Sequence, residues 1–174
     1  MQSFLIIVLY VFGFIILILV AFILLVGLYT GIWFAPPSDE HFINKLNTHK
    51  SEYLQLVQML NEDEALEIIT PTRFRPDGAI SEQRFEQYQQ LLELLAIKSR
   101  VMHSSSYEQV YFNHTNRGVP LFSSPNKGLV YRPIDPTPLY PSLDNVPEEY
   151  DVDVEAWSAF RQIDDNWYIH YYQY

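Results

Sequence analysis

The sequence predicts an α+β protein in which one N-terminal transmembrane helix precedes a small domain of two amphipathic helices packed on an antiparallel β-meander. Three observations support this fold class: an uncharged apolar run over residues 4–34, two stretches of helical periodicity, and a change to short β-type runs after residue 100. The chain has 174 residues, which leaves room for one ordinary domain after the anchor. We expect a sheet of four or five strands.

The first element is the predicted anchor, residues 1–37. Residues 4–34 contain no Asp, Glu, Lys or Arg and exceed the roughly 20 apolar residues that a bilayer requires. A cleavable signal peptide has a shorter apolar core and a basic residue before it, so we expect an uncleaved signal anchor. The sequence therefore predicts a single-pass membrane protein with lipid as the partner of residues 4–34. Lys45 and Lys50 favour a cytoplasmic domain by the positive-inside rule, whereas the Trp- and Pro-rich exit at residues 33–37 favours the extracytoplasmic domain that we expect.

Two glycines near the end of the apolar run have a spacing that matters for helix packing. Gly27 and Gly31 lie one turn apart on the same face of the predicted helix. Small residues at this spacing let two apolar helices approach closely. We therefore expect Gly27 and Gly31 to pack against a second helix, which belongs either to another membrane protein or to a second copy of this chain.

The two predicted amphipathic helices cover residues 38–61 and 81–99. Ser38 and Ser81 are suitable N-cap residues, and Asp39 and Glu40 suit the positive end of the first helix dipole. Both helices have apolar residues at the 3.6-residue period. These are Phe42, Leu46, Tyr53, Val57 and Leu60 in the first helix, and Phe85, Tyr88, Leu92 and Leu95 in the second. Cations over residues 98–100 suit the end of the second helix.

The remainder of the domain, residues 101–174, is typical of antiparallel strands joined by short turns. Residues 67–74 are interrupted by Pro71 and allow at most an edge strand. The histidine and serines of residues 103–106 are expected to form a polar loop. The five predicted strands are residues 107–113, 119–122, 129–132, 157–163 and 166–172. Aromatic residues at both parities of the last strand indicate either a central strand or a surface for a ligand.

A proline-rich acidic loop, residues 133–155, interrupts the predicted strands. It is too long for a hairpin connection, and long loops of this kind inside a domain are often functional. Alternating acids at residues 151–155 could hold calcium, but an EF-hand glycine is missing and a solvated or partner-facing edge is the interpretation we prefer. We expect this loop to bind a partner through Tyr140, Glu148, Glu149, Tyr150, Asp151, Asp153 and Glu155.

Charge and composition exclude several classes of function. The formal net charge is −10, which disfavours nucleic acid and favours a basic protein as partner. The absence of cysteine excludes thiol catalysis and Cys-ligated metals. No phosphate-binding loop, His-Glu-x-x-His helix or Gly-x-Ser-x-Gly turn is present. We therefore expect no catalytic residue, no cofactor and no metal site.

These observations predict a non-enzymatic accessory or scaffold subunit of a membrane-associated complex, which binds through its helix and its acidic domain. One alternative is an anchored inhibitor or immunity protein that neutralises a basic toxin or enzyme, because acidic complementarity accelerates such binding. A further alternative is a membrane-tethered hydrolase, for which a deep polar pocket around His103, His114 or His170 would be the supporting observation.

Overall fold

The computed structural model describes residues 2–29, 36–113, 126–144 and 157–173. The chain divides into two compact units, residues 1–35 and residues 36–174. The first unit contains helix α1, Gln2–Tyr29, and the second is an α+β domain with three helices and a sheet.

The predicted transmembrane anchor over residues 1–37 is wrong on the residues that the structure describes. None of the helices formed by those residues is long and apolar enough to cross a bilayer. The predictions of a signal anchor, a single-pass localisation and an extracytoplasmic domain depended on that span, so they are wrong as well.

The helices of the domain are α2, Asp39–Thr48, α3, Lys50–Glu62, and α4, Glu82–Leu94. Both predicted caps are confirmed, because the Ser38 and Ser81 hydroxyls accept the backbone N–H of the residue three positions later. The first predicted helix is divided at His49, whose backbone is not helical (φ −126°, ψ 29°). The second ends earlier than predicted, because Ala96 adopts a left-handed φ of 47°.

The described residues form a sheet of seven strands: β1 Ile68–Ile69, β2 Phe74–Arg75, β3 Arg100–Ser104, β4 Gln109–Asn113, β5 Asn126–Tyr131, β6 Trp157–Asp164 and β7 Trp167–Gln173. Neighbouring strands pair in the antiparallel sense, in the order β2-β1-β3-β4-β5-β7-β6. Strands β1 and β2 lie where at most an edge strand was predicted, and β3 extends into the predicted loop at residues 103–106. The described sheet therefore has more strands than the four or five predicted. The predicted strand at residues 119–122 lies outside the described residues.

The final hairpin departs from a simple meander. Strand β7 pairs with β5 on one side and β6 on the other, so β6 is at the sheet edge although it precedes β7 in sequence. Residues 138–140 run beside that edge, where the Tyr140 N–H donates to the Phe160 carbonyl at 2.8 Å. The central position of β7 agrees with its aromatic residues at both parities.

Helices α2, α3 and α4 share one core with one face of the sheet. Tyr53 of α3 has ring contacts with Phe112 of β4 and Trp167 of β7, with centroids 5.2 and 5.7 Å apart. The same core includes Phe42, Leu92, Val101, Leu129 and Ile169. Because side chains alternate between the faces of a strand, the neighbours of these residues in each strand point to the opposite face.

Candidate functional site

Most of the residues predicted to bind a partner lie outside the described part of the chain. This applies to Gly31 and to Glu148, Glu149, Tyr150, Asp151, Asp153 and Glu155. Gly27 lies in α1, but the structure does not describe the surroundings of its Cα. Tyr140 is described and is half-buried against the domain core. Of the predicted binding loop, residues 133–155, the structure therefore describes residues 133–144.

That first half is attached to the domain through a buried carboxylate at the start of α2. Asp39 is 1% exposed, and its Oδ2 accepts hydrogen bonds from the Leu143 backbone N–H at 2.7 Å and the Ser142 hydroxyl at 3.0 Å. The Asp39 backbone N–H donates to Asp144 Oδ1 at 2.7 Å. Residues 142–144 are thereby fixed against the N-terminus of α2.

Two cations complete the network around Asp39. Lys127 Nζ, on β5, is 2.6 Å from Asp39 Oδ1 and 2.7 Å from Asp144 Oδ1. Arg161 Nη1, on β6, is 2.7 Å from Asp39 Oδ2. Burial by itself raises the pKa of Asp39, but the hydrogen bonds from Lys127, Leu143 and Arg161 and the charge of Lys127 outweigh burial, so this pKa is lowered from its usual value. We call these residues the Asp39 network.

A second polar region lies at one end of the sheet, on the face opposite the core. Strand pairing brings Arg100 opposite Asn113, and Asn126 opposite Tyr172. The loop between β1 and β2 and the segment after α4 border the same space, a cleft of about 610 Å³. We call it the basic cleft, and its lining consists of Thr70, Pro71, Thr72, Arg73, Lys98, Ser99, Arg100, Asn113, Asn126 and Tyr172.

The wall formed by the β1–β2 loop has a defined conformation. The Thr70 N–H donates to the Arg73 carbonyl at 2.8 Å, and the Thr70 hydroxyl accepts the Arg73 N–H at 3.0 Å. The Gln89 side chain, on α4, donates to the Pro71 carbonyl at 2.7 Å. Because the loop is tied both to itself and to a helix, Arg73 projects from a fixed backbone position.

The charge of the cleft contrasts with that of the chain. Arg73, Lys98 and Arg100 are exposed and line it, and its described lining contains no Asp or Glu. Within the described residues these three side chains have no acidic partner. Five other described cations are in ion pairs with carboxylates, namely Lys50, Arg84, Lys127, Arg132 and Arg161. A protein with a net charge of −10 thus has a local positive site.

Asn113 adds a buried hydrogen-bond donor to the cleft. The residue is 5% exposed, and its Nδ2 has no hydrogen-bond partner among the described residues. Buried polar groups without partners are costly and uncommon in folded proteins. An acceptor oxygen supplied by a ligand in the cleft would satisfy this amide.

A separate polar cleft of about 300 Å³ is lined by His103, Ser105 and Ser106 together with Asn61, Glu64 and Glu108. His103 lies in β3 rather than in the predicted loop, and its Nδ1 donates to the Leu66 carbonyl over 3.1 Å. Its Nε2 is buried and has no hydrogen-bond partner in the part of the chain that the structure describes. Among the described residues, no three His, Asp or Glu side chains are grouped closely enough to hold a metal ion.

The two other histidines named for a hydrolase are placed differently. His170 lies on the face of the sheet opposite the core, where its ring stacks on Phe160 with centroids 4.6 Å apart and on Tyr172 at 5.1 Å. Burial lowers the pKa of His170 to about 4, so this ring is neutral at pH 7. His114 lies outside the described residues.

Sequence reasoning missed the basic cleft because its cations come from separate segments. Lys98 and Arg100 were interpreted as the cationic end of the second helix, but α4 ends at Leu94, and Arg73 was assigned no role. The sequence carries no signal that distinguishes these three cations, since none of the 11 Lys and Arg residues of the chain lies next to an Asp or Glu.

Comparison with known proteins adds no relative, because no family model, curated protein or solved structure matches this chain.

Proposed function

We propose that this chain is a non-enzymatic accessory or scaffold protein that binds an anionic partner in the basic cleft. The observation that carries this proposal is the convergence of Arg73, Lys98 and Arg100 on a cleft without a carboxylate in its described lining. Cations without an acidic partner among the described residues remain available to a ligand. Complementary charge at such a site increases both the rate and the selectivity of association.

The lining of the cleft supports binding rather than turnover. Its described side chains are hydroxyls, amides, three cations, a proline and a tyrosine. Carboxylates and imidazoles are the usual acid–base groups near neutral pH, and this lining contains neither. Its groups are suited to holding an anion by charge and hydrogen bonds.

The acidic loop gives the proposal a second surface of opposite sign. Glu148, Glu149, Asp151, Asp153 and Glu155 remain our predicted contacts for a basic protein. The Asp39 network fixes residues 142–144 of this loop, directly before the five acids. A protein with one site for an anionic partner and another for a basic partner would bring the two together, which is the activity of a scaffold. The inhibitor alternative would use the acidic surface alone.

Affinity purification with cleft variants tests the proposal. The full chain, in a mild non-ionic detergent that covers the exposed apolar side chains of α1, is compared with a variant carrying Arg73→Gln, Lys98→Gln and Arg100→Gln. We expect this variant to lose partners that the wild-type protein retains at low salt. The matched control is Arg75→Gln, which removes an exposed cation of the same hairpin that does not line the cleft.

The control should retain the same partners as the wild-type chain. The proposal is wrong if the triple variant purifies with an unchanged set of proteins, or if the Arg75 variant loses them equally.

The cleft around His103 favours a second candidate function, hydrolysis. Because a carbonyl can only accept, the Nδ1 of His103 carries a proton, and the lone pair of the singly protonated ring is at Nε2. A ring in this orientation could accept the proton of a serine hydroxyl. However, Nε2 is buried without contacting a hydroxyl, so the ring would have to be uncovered first. Labelling by a fluorophosphonate that disappears in Ser105→Ala or Ser106→Ala would support a hydrolase; no labelling would exclude a nucleophilic serine there.

A further inference from the structure

We infer that the anionic group recognised by the basic cleft is a phosphoryl group on a segment of a partner protein. This inference rests on the proposed function and specifies its ligand. Three cations, Arg73, Lys98 and Arg100, surround the cleft without a described acid among its lining residues. A phosphorylated side chain has a charge of about −1.5 to −2 at pH 7, whereas a carboxylate has only one negative charge. The cleft is therefore better matched to the phosphoryl group.

The direction of the donors also favours a tetrahedral group. Arg73 comes from the β1–β2 loop, Lys98 from the segment after α4 and Arg100 from the start of β3. Donors that arrive from two segments, the β1–β2 loop and residues 98–100, can reach oxygens that point in different directions. A carboxylate has two oxygens in one plane, and one guanidinium can satisfy both. Arginine, which presents a planar fork of N–H groups, is the residue most suited to phosphate recognition.

The buried amide of Asn113 is an independent observation that points to a ligand at this site. Its Nδ2 is buried and unpartnered among the described residues, and its residue lines the cleft beside Arg100, its partner in the β3–β4 register. The amide is a neutral donor, so it can bind an oxygen that the cations leave without a hydrogen bond. Hydroxyls of Thr70 and Ser99, also in the lining, add further donors.

The size of the cleft indicates that the phosphoryl group arrives attached to something larger. The cleft of about 610 Å³ is comparable to sites that hold drug-sized ligands, roughly 300–1,000 Å³. A phosphoserine or phosphothreonine with its neighbouring residues would use this space. A nucleic acid is a poorer match, because its many phosphates would also meet a protein whose net charge is −10.

The test measures peptide binding to the full chain in mild non-ionic detergent at low salt. The probe is a fluorescent Gly/Ser-rich peptide carrying one phosphoserine, and the reference peptides carry Glu or unmodified Ser at that position. We expect the phosphopeptide to bind at least tenfold more tightly than the Glu peptide, and less tightly as salt is raised. Lys98→Gln and Arg100→Gln should each weaken phosphopeptide binding about tenfold, the size of change expected when a charge-assisted contact is lost.

Arg75→Gln is again the matched control and should bind the phosphopeptide as the wild-type chain does. Lys98 and Arg100 are exposed, so their variants should fold, which circular dichroism would verify. Asn113→Leu tests the buried donor, and we expect it to weaken phosphopeptide binding more than Glu-peptide binding.

Three outcomes would overturn the inference. Equal affinity for the phosphoserine and Glu peptides would make the ligand a carboxylate, and it would leave the proposed function intact as long as the cleft variants still lose partners in the purification experiment. Inorganic phosphate that competes at an affinity equal to that of the phosphopeptide would make the ligand a free phosphate compound. Equal weakening in the Arg75 variant would show non-specific attraction to charge.

Discussion

The cations of the Asp39 network and those of the basic cleft belong to the same domain but differ in burial and in their pairing with carboxylates. Lys127 is 2% exposed and contacts Asp39 and Asp144. Lys98 and Arg100 are exposed and have no acidic partner among the described residues. A buried charge has to be paired because removing it from water is costly, but an exposed charge does not.

This difference separates cations that maintain the fold from cations that can bind something else. Removing a member of the Asp39 network should destabilise the domain, whereas removing a cleft cation should leave the free energy of unfolding nearly unchanged. Equal effects in the two regions would remove the basis for the distinction.

The largest effect is expected for Lys127→Met. This change leaves Asp39 buried without its nearest cation, and loss of one partner of a buried pair costs about 3–5 kcal/mol. Urea denaturation of the full chain in mild detergent would measure the decrease in the free energy of unfolding. The double variant Lys127→Met with Asp39→Asn should be less destabilised than the sum of the two single changes. A loss below about 1 kcal/mol for Lys127→Met would show that the network is not important for stability.

Acid should also decrease the free energy of unfolding through the Asp39 network, but by less than Lys127→Met does. The pKa of Asp39 is lower in the folded state than its usual value, so its contribution to stability is fully present above the unfolded-state pKa of about 3.9 and is lost as the pH falls through the lower, folded-state pKa. We therefore expect the free energy of unfolding to decrease below about pH 4. The Asp39→Asn variant should show a flatter pH dependence there, and identical profiles would contradict the assignment.

An intermediate effect is expected for Arg161→Met. Arg161 donates to Asp39 Oδ2 at 2.7 Å, but its side chain is 28% exposed, and Asp39 would retain Lys127, Leu143 and Ser142. We expect a loss of about 1–2 kcal/mol in the free energy of unfolding, measured by the same denaturation. A loss as large as that of Lys127→Met would show that the two cations are equivalent.

The smallest effect is expected in the cleft. Lys98→Gln and Arg100→Gln should change the free energy of unfolding by less than about 0.5 kcal/mol, as is usual for exposed positions. A stabilisation would also agree with the proposal, because three like charges converge there without an acid in the described lining. A loss above 1 kcal/mol for either change would indicate a structural role.

Sequence reasoning located the local features of the domain because these depend on neighbouring residues. The caps at Ser38 and Ser81 were identified from residue type and position, and the structure confirms them. Strands β1 and β2 have two residues each, which is too short for any alternation to be visible. Strand β3 was hidden by a histidine and serines that suggested a loop, although Val101 and His103 point into the buried side of the sheet.

The Asp39 network and the basic cleft could not be predicted because their members are distant in sequence. Asp39 was interpreted only as a favourable charge at a helix start, and nothing local indicates that Lys127 and Arg161 reach it. In the same way, Arg73 and Asn113 belong to different strand pairs and meet only when the sheet has formed. Such sites depend on strand order, which the periodicity of a single strand does not determine.

The insertion of β7 between β5 and β6 has a consequence for the kinetics of folding. Asn126 of β5 pairs with Tyr172 of β7. Contacts between residues so far apart in sequence form slowly, because a long loop must close first. Residues 126 and 172 both line the basic cleft. The side of the basic cleft that these two residues form should therefore be completed late in refolding.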